Sequence, residues 1–203
     1  MPNYKIYYFN MYGRAELARL ILAYASVEFE DIRYSPAEWP QRKAKFPFKQ
    51  LPVLEVDGKM LAQSRAISRY LARKHGLAGK DEWEQALADM YVDCIDDLIY
   101  GMRGAYMEKD PEKQKEMMKK CMEEKVHPHA LIVEKQLIKN GTGFLVGSEI
   151  TWADLAYYGF FSLLKERCAG ALKDTPHLQS FIESIGNMPT IKKWVSTRPK
   201  TDL

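Results

Sequence analysis

Polar and apolar positions change period twice along the chain. Between residues 4 and 9 they alternate, with Tyr4, Ile6 and Tyr8 on one side and Lys5, Tyr7 and Phe9 on the other, which predicts a first strand over residues 5–9. Beyond Gly13 the spacing becomes helical. Leu17, Leu20, Ile21 and Tyr24 stand at i, i+3, i+4 and i+7, on one face of a helix that runs to about Ala25. A short strand is expected at 31–34. Residues 53–56 and 59–62 then flank Asp57-Gly58, a pair suited to a hairpin turn, so these two strands should be antiparallel. Ser64 is positioned to cap a further helix carrying Ile67 and Leu71, which ends near Gly76 and Gly79. Pro52 cannot donate to a ladder, so it marks the start of a strand or a special turn, with trans as its ordinary state.

After Asp81 strand-like alternation does not return. Trp83, Leu87, Met90, Tyr91, Cys94 and Leu98 keep a helical period. Pro111 can open another helix, in which Met118, Cys121 and Met122 share a side, and Pro128 should bend or interrupt it. Thr151 and Asp154 stand three apart like a capping box, and Ile150 and Leu155 occupy the two staple positions. Ala156, Phe160 and Leu163 line one face of that helix. Ile191, Trp194 and Val195 do the same in a last helix, which Pro199 ends. The pattern predicts an α/β amino-terminal domain, βαβ then ββα, over residues 2–79, and an all-α domain over 81–203.

Composition narrows the class. The 203 residues are 46% hydrophobic, enough for real cores, and the net charge of +3 is spread along the chain rather than gathered into a basic stripe. Neither nucleic acid nor a membrane is an expected partner, since no apolar run approaches the ~20 residues of a membrane span. The polar start lacks the apolar core of a signal peptide, and the expected location is the cytoplasm. Cys94, Cys121 and Cys168 are far apart with no metal-ligand spacing, which suits small buried hydrophobes.

Candidate chemistry lies in the tyrosines at 4, 7, 8 and 12. An aromatic on a strand face is ordinarily core, so alternation alone does not separate Tyr8 from Tyr4. Arg14, in the same light, reads as a solvated charge. The stretch "MPNYKIYYFNMYGRAE", "EWP" at 38–40, "LPVLEVDGK" at 51–59, "QSRAISRYLAR" at 63–73 and "TWAD" at 151–154 resemble the sigma class of cytosolic glutathione transferases. That class includes the haematopoietic prostaglandin D synthases, and the likeness runs through nearly the whole chain in register.

The resemblance implies a thioredoxin-like amino-terminal domain that binds glutathione as co-substrate. It implies that Tyr8 ionises the thiol with support from Arg14. Ser64 and Gln63 would receive the γ-glutamyl end, and the backbone at Leu51, beside a cis Pro52, would pair with the cysteinyl unit. Trp39 and Lys43 would hold the glycyl carboxylate, although from the residues alone Trp39 could be core and Lys43 a loop charge. Gln50 fits the class, while Lys49 stands where glycine is usual. Asp93, Asp96 and Asp97 share a helix face and read as solvated acids. In the class the counterpart of Asp97 reaches a partner's glutathione across a two-fold homodimer, and the acidic cluster is an optional magnesium or calcium site. The electrophile would lie in an apolar pocket between the domains, walled by Met11, Ile99, Gly104, Ala156, Phe160 and Leu203. Gly104 replaces the tryptophan of the prostaglandin D synthases, so the pocket should be more open.

The expected activity is conjugation of the glutathione thiolate to hydrophobic electrophiles. Glutathione-dependent isomerisation of prostaglandin H2 is a narrower alternative. A non-enzymatic role is another, either like the S-crystallins, whose characteristic insertion in the helical domain is not apparent here, or as a ligandin-like carrier.

Overall fold

The alternation at the amino terminus is realised in β1 (Tyr4–Phe9), whose Tyr4, Ile6 and Tyr8 are buried while Lys5, Tyr7 and Phe9 are half-buried. A computed structural model describes residues 2–167 and 172–201. A short 3-10 turn, Gly13–Ala15, leads into α1 (Glu16–Tyr24), followed by β2 (Glu30–Tyr34), α2 (Trp39–Arg42), β3 (Val53–Val56), β4 (Lys59–Ala62) and α3 (Ser64–Lys74). The sheet order is β2-β1-β3-β4, with β1 and β2 parallel and the other two pairings antiparallel. This is the expected βαβ-ββα arrangement. A core cluster of Tyr34, Phe46, Val53 and Ala62 is flanked by Tyr7, Ile32, Trp39 and Leu51.

The remaining helices are α4 (Glu82–Met107), α5 (Pro111–Cys121), α6 (His127–Asn140), α7 (Trp152–Arg167), α8 (Pro176–Gly186) and α9 (Pro189–Thr197). Pro128 acts as expected: a π-helical stretch, Met122–Val126, separates α5 from α6 just before it. On α4 the buried stripe agrees only in part with the one that apolar spacing suggested: Leu98 is buried and Leu87, Tyr91 and Cys94 are half-buried. Ala88, Val92, Ile95, Leu98, Met102 and Ala105 point inward, while Trp83 is 73% exposed and Met90 is also exposed. Apolar spacing within one helix does not say which flank of its stripe another helix will cover. The single apolar face expected of α7 is also too narrow, because every residue from Trp152 to Tyr158 is buried.

Two compact units result, Met1–Ala78 with Asn187–Leu203, and Gly79–Gly186. The last helix therefore belongs to the first unit rather than to the helical one. It packs on α1, and its Trp194 meets Phe29, between α1 and β2, at a ring distance of 5.3 Å.

Candidate active site

Strand register brings the expected residues to one edge of the sheet. The β1–β3 ladder ends at Tyr7 opposite Val53, and the β3–β4 ladder at Val53 opposite Ala62. The next residue on each strand is Tyr8, Pro52 and Gln63, so these three stand side by side beyond the last pairs. The Leu51-Pro52 peptide is cis, as the resemblance implied. Gln63 turns the chain into α3 with φ of 73°, a conformation that non-glycine residues adopt at a cost of about 1–3 kcal/mol and that clusters at ligand sites. Ser64 does not cap α3. It is the first helical residue, and Gln63 holds the cap position without a side-chain cap hydrogen bond.

The four tyrosines separate by their partners. The Tyr7 hydroxyl donates to Glu55 at 2.9 Å, and burial together with that carboxylate pushes it up to about 12. Tyr4 is buried beside His75 and under the Lys74 ammonium. The Tyr12 ring is covered by the Arg198 guanidinium, 4.1 Å from its centroid. Tyr8 is 7% exposed, and its hydroxyl oxygen accepts the main-chain N–H of Arg14 at 3.1 Å. A phenol has one proton to give, and with an acceptor position of Tyr8 used by Arg14, that proton is available to a thiolate.

One link from Arg14 to Tyr8 is thus its main-chain N–H. The turn that makes it possible needs Gly13. Its φ is 41°, and a Cβ there would lie 2.7 Å from the Tyr8 hydroxyl. Sequence reasoning did not single out Gly13 for this, although its place between strand and helix was the available signal.

On the same unit Trp39 opens α2 and lies among Phe9, Tyr34 and Phe46, so its packing role is real. Lys43, Lys49 and Gln50 are exposed on the loop that leads to half-buried Leu51. Phe48 and Lys49 both have positive φ, 55° and 51°. Lys49 therefore takes up a left-handed backbone that the usual glycine adopts freely, at a cost of about 1–2 kcal/mol.

A charge network at the start of α1 was not foreseen. Glu16, buried in the first turn, receives Arg198 Nη1 at 2.6 Å, Trp194 Nε1 at 2.8 Å and Arg19 Nη1 at 3.2 Å. Arg19 also donates to the carbonyls of Met11 and Tyr12, and with Arg33 it grips Asp31. The spacing of Glu16 and Arg19 was visible; their partners at the far end of the chain were not.

Asp93, Asp97 and Gly104 on α4 are exposed, and Asp96 and Ile99 half-buried. On α7 Ala156 is buried and Phe160 half-buried. Leu203 and Cys168 lie outside the described residues. Among those described, no three His, Cys, Asp or Glu converge as metal ligands, so Asp93, Asp96 and Asp97 do not fit magnesium or calcium within one chain. Burial raises the thiols of Cys94 and Cys121, which suits packing rather than nucleophilic attack. No helix among the described residues is long and apolar enough to cross a membrane.

Two family models match: the glutathione S-transferase N-terminal domain over residues 4–73 and the C-terminal domain over 96–198. The chain is 41% identical to glutathione S-transferase 1 of Ascaris suum, covering 99% of each. It is 38% identical to the haematopoietic prostaglandin D synthase of Gallus gallus over 100% of both. Among solved structures it resembles a monomeric glutathione S-transferase of the hookworm Necator americanus, with TM-score 0.90, 38% identity and coverage of 99% and 100%.

Proposed function

Because this chain belongs to the glutathione S-transferases, enzymes that use the thiol of glutathione, we propose that Tyr8 is the residue that ionises it. The reaction is conjugation of the thiolate to a hydrophobic electrophile. A free thiol titrates near ~8.5, so little of it is nucleophilic at neutral pH. Lowering that by about two units takes roughly 2.7 kcal/mol, within reach of a charge-assisted hydrogen bond. The observation that carries the reading is the Tyr8 hydroxyl accepting from the Arg14 N–H, because this leaves its own proton to donate to a thiolate. Tyr8→Phe should cut kcat with a chloronitrobenzene substrate about 100-fold while the KM for glutathione changes little. Unchanged turnover would remove Tyr8 from the mechanism.

Around the thiol, the row of Tyr8, Pro52 and Gln63 supports placing the cysteinyl backbone along Leu51 and the γ-glutamyl end at the open start of α3. The first-turn N–H groups there favour a carboxylate. Trp39, Lys43, Lys49 and Gln50 form the side from which the glycyl carboxylate would be held. Met11, Ile99, Gly104, Ala156 and Phe160 are the residues assigned to the electrophile.

The protein is read as a cytoplasmic, sigma-like detoxifying enzyme that works as a homodimer, in which Asp97 serves the partner's glutathione. Sedimentation at micromolar concentration tests this directly, since one close structural relative is described as monomeric. The identity to a prostaglandin D synthase favours a second reading, isomerisation of prostaglandin H2 by the same thiolate. Product analysis with that substrate separates the two, and Gly104 in place of a large aromatic argues for the broader activity.

A further inference from the structure

We propose that Arg198, at the end of α9, is a positioning residue for the thiol-activating hydroxyl and acts through the turn at residues 11–14. The inference rests on the reading of Tyr8 given above, and all its residues lie in one compact unit. That turn delivers the Arg14 N–H to Tyr8, yet it consists of a glycine with positive φ and three residues outside the sheet ladders. Such a segment keeps its geometry only if something external holds it.

Two guanidinium groups do so. Arg19 Nη1 donates to the carbonyls of Met11 at 3.0 Å and Tyr12 at 3.2 Å, fixing the first half of the turn from within α1. Arg198 lies over the Tyr12 ring, closing the turn from the other side. Both are anchored on one buried carboxylate: Arg198 meets Glu16 Oε1, which Trp194 also reaches, and Arg19 meets Oε2. The end of the chain is thereby connected to the catalytic hydroxyl through Glu16, Arg19, Tyr12 and Arg14. Glu16 also begins α1 two residues after Arg14, so its carboxylate anchors the chain close to the peptide that bonds Tyr8.

A clamp of this kind differs from simple packing in what it changes. Loss of a packing contact lowers stability and leaves the bound thiol as acidic as before. Loss of a positioning contact moves the thiol titration in protein that is still folded.

The test measures the ultraviolet absorbance of glutathione thiolate bound to the full chain as a function of pH, for wild type, Arg198→Met, Arg198→Lys and Tyr8→Phe, with a thermal melt of each. Arg198→Met is expected to raise the half-titration point by about one pH unit and lower kcat/KM about tenfold, with glutathione affinity within threefold of wild type. Arg198→Lys keeps the charge on Glu16 and should recover most of that shift. Should Arg198→Met fail to accumulate folded, Trp194→Phe takes its place, with a smaller shift in the same direction. A titration that stays at the wild-type position in folded Arg198→Met, or in its substitute, overturns the proposal. If Tyr8→Phe shifts the titration while those variants do not, only the role of Arg198 is lost; if Tyr8→Phe leaves it unmoved, the Tyr8 reading itself fails.

Discussion

Two helix starts in this molecule each bury a carboxylate in the first turn, and they satisfy it in opposite ways. At α7, Asp154 is fully buried and accepts from Leu145 N–H, Thr151 N–H and the Thr151 hydroxyl, all within nine residues of sequence. At α1, Glu16 accepts from Arg19 three residues on, but also from Trp194 and Arg198, 178 and 182 residues away. The first carboxylate is surrounded by neutral donors and the second by two guanidinium groups and an indole. A local, neutral cap stiffens one helix of the helical unit. A long-range, ionic one ties the end of the chain to the turn that carries the proposed catalytic contact.

The comparison can be broken at either end. Glu16→Ala leaves two buried guanidinium groups without their shared partner, and should destabilise the protein by about 3–5 kcal/mol in a urea melt and reduce activity as well. An Asp154→Asn variant isolates the neutral cap. Burial raises the Asp154 carboxyl from 3.8 to about 6, against the opposing pull of its hydrogen bonds. A folded-state value above the unfolded one means that the native state holds this proton more tightly. The stabilisation is therefore complete below pH 3.8 and is lost as pH rises to about 6. Over that window wild type should lose about 3 kcal/mol relative to Asp154→Asn, with no further divergence above it. Parallel pH profiles would show that the carboxyl is not perturbed.

Smaller effects sharpen the α1 side. Gly13→Ala places a methyl group against the Tyr8 hydroxyl in a left-handed backbone, and should cost about 1–2 kcal/mol of stability with a loss in kcat about tenfold. A Gly13→Ala enzyme with normal kcat would mean that the turn tolerates displacement of Tyr8. Lys49→Gly should do the reverse for stability, raising it by about 1 kcal/mol through release of the strained φ. If the Lys49 ammonium also meets a glutathione carboxylate, KM for glutathione rises in the same variant.

How much of this was legible depended on distance along the chain. The alternation of Tyr4, Ile6 and Tyr8, the Asp57-Gly58 hairpin and the change to helix after Asp81 all lie within a few residues and appear as expected, and the Thr151–Asp154 box appears in one half, the Asp154 carboxylate accepting the Thr151 N–H while the Thr151 hydroxyl donates to that carboxylate. Positions that depend on backbone conformation or on a neighbour from elsewhere were misjudged. Ser64 looks like a cap until Gln63 takes that place with positive φ. Trp83 and Met90 look like core until Ala88, Val92 and Ile95 prove to be the stripe that other helices cover. Tyr8 could be chosen only by resemblance, because its distinction from Tyr4 and Tyr7 is a matter of partners. Tyr7 has Glu55, Tyr4 has Lys74 and His75, and Tyr8 has the N–H of Arg14.

By itself the sequence determined the four strands and most of the helices, though not α2 or α8, together with the division into a mixed sheet and a helical region and the local pairing of Thr151 with Asp154, since hydrophobic period and capping act over a few residues. Only the tertiary structure decided that α9 packs on the amino-terminal unit and that Glu16 has Trp194 and Arg198 as partners. It likewise decided that the Arg14 backbone meets Tyr8. Those contacts join residues through space, and the period of a single segment carries no information about what will be brought against it.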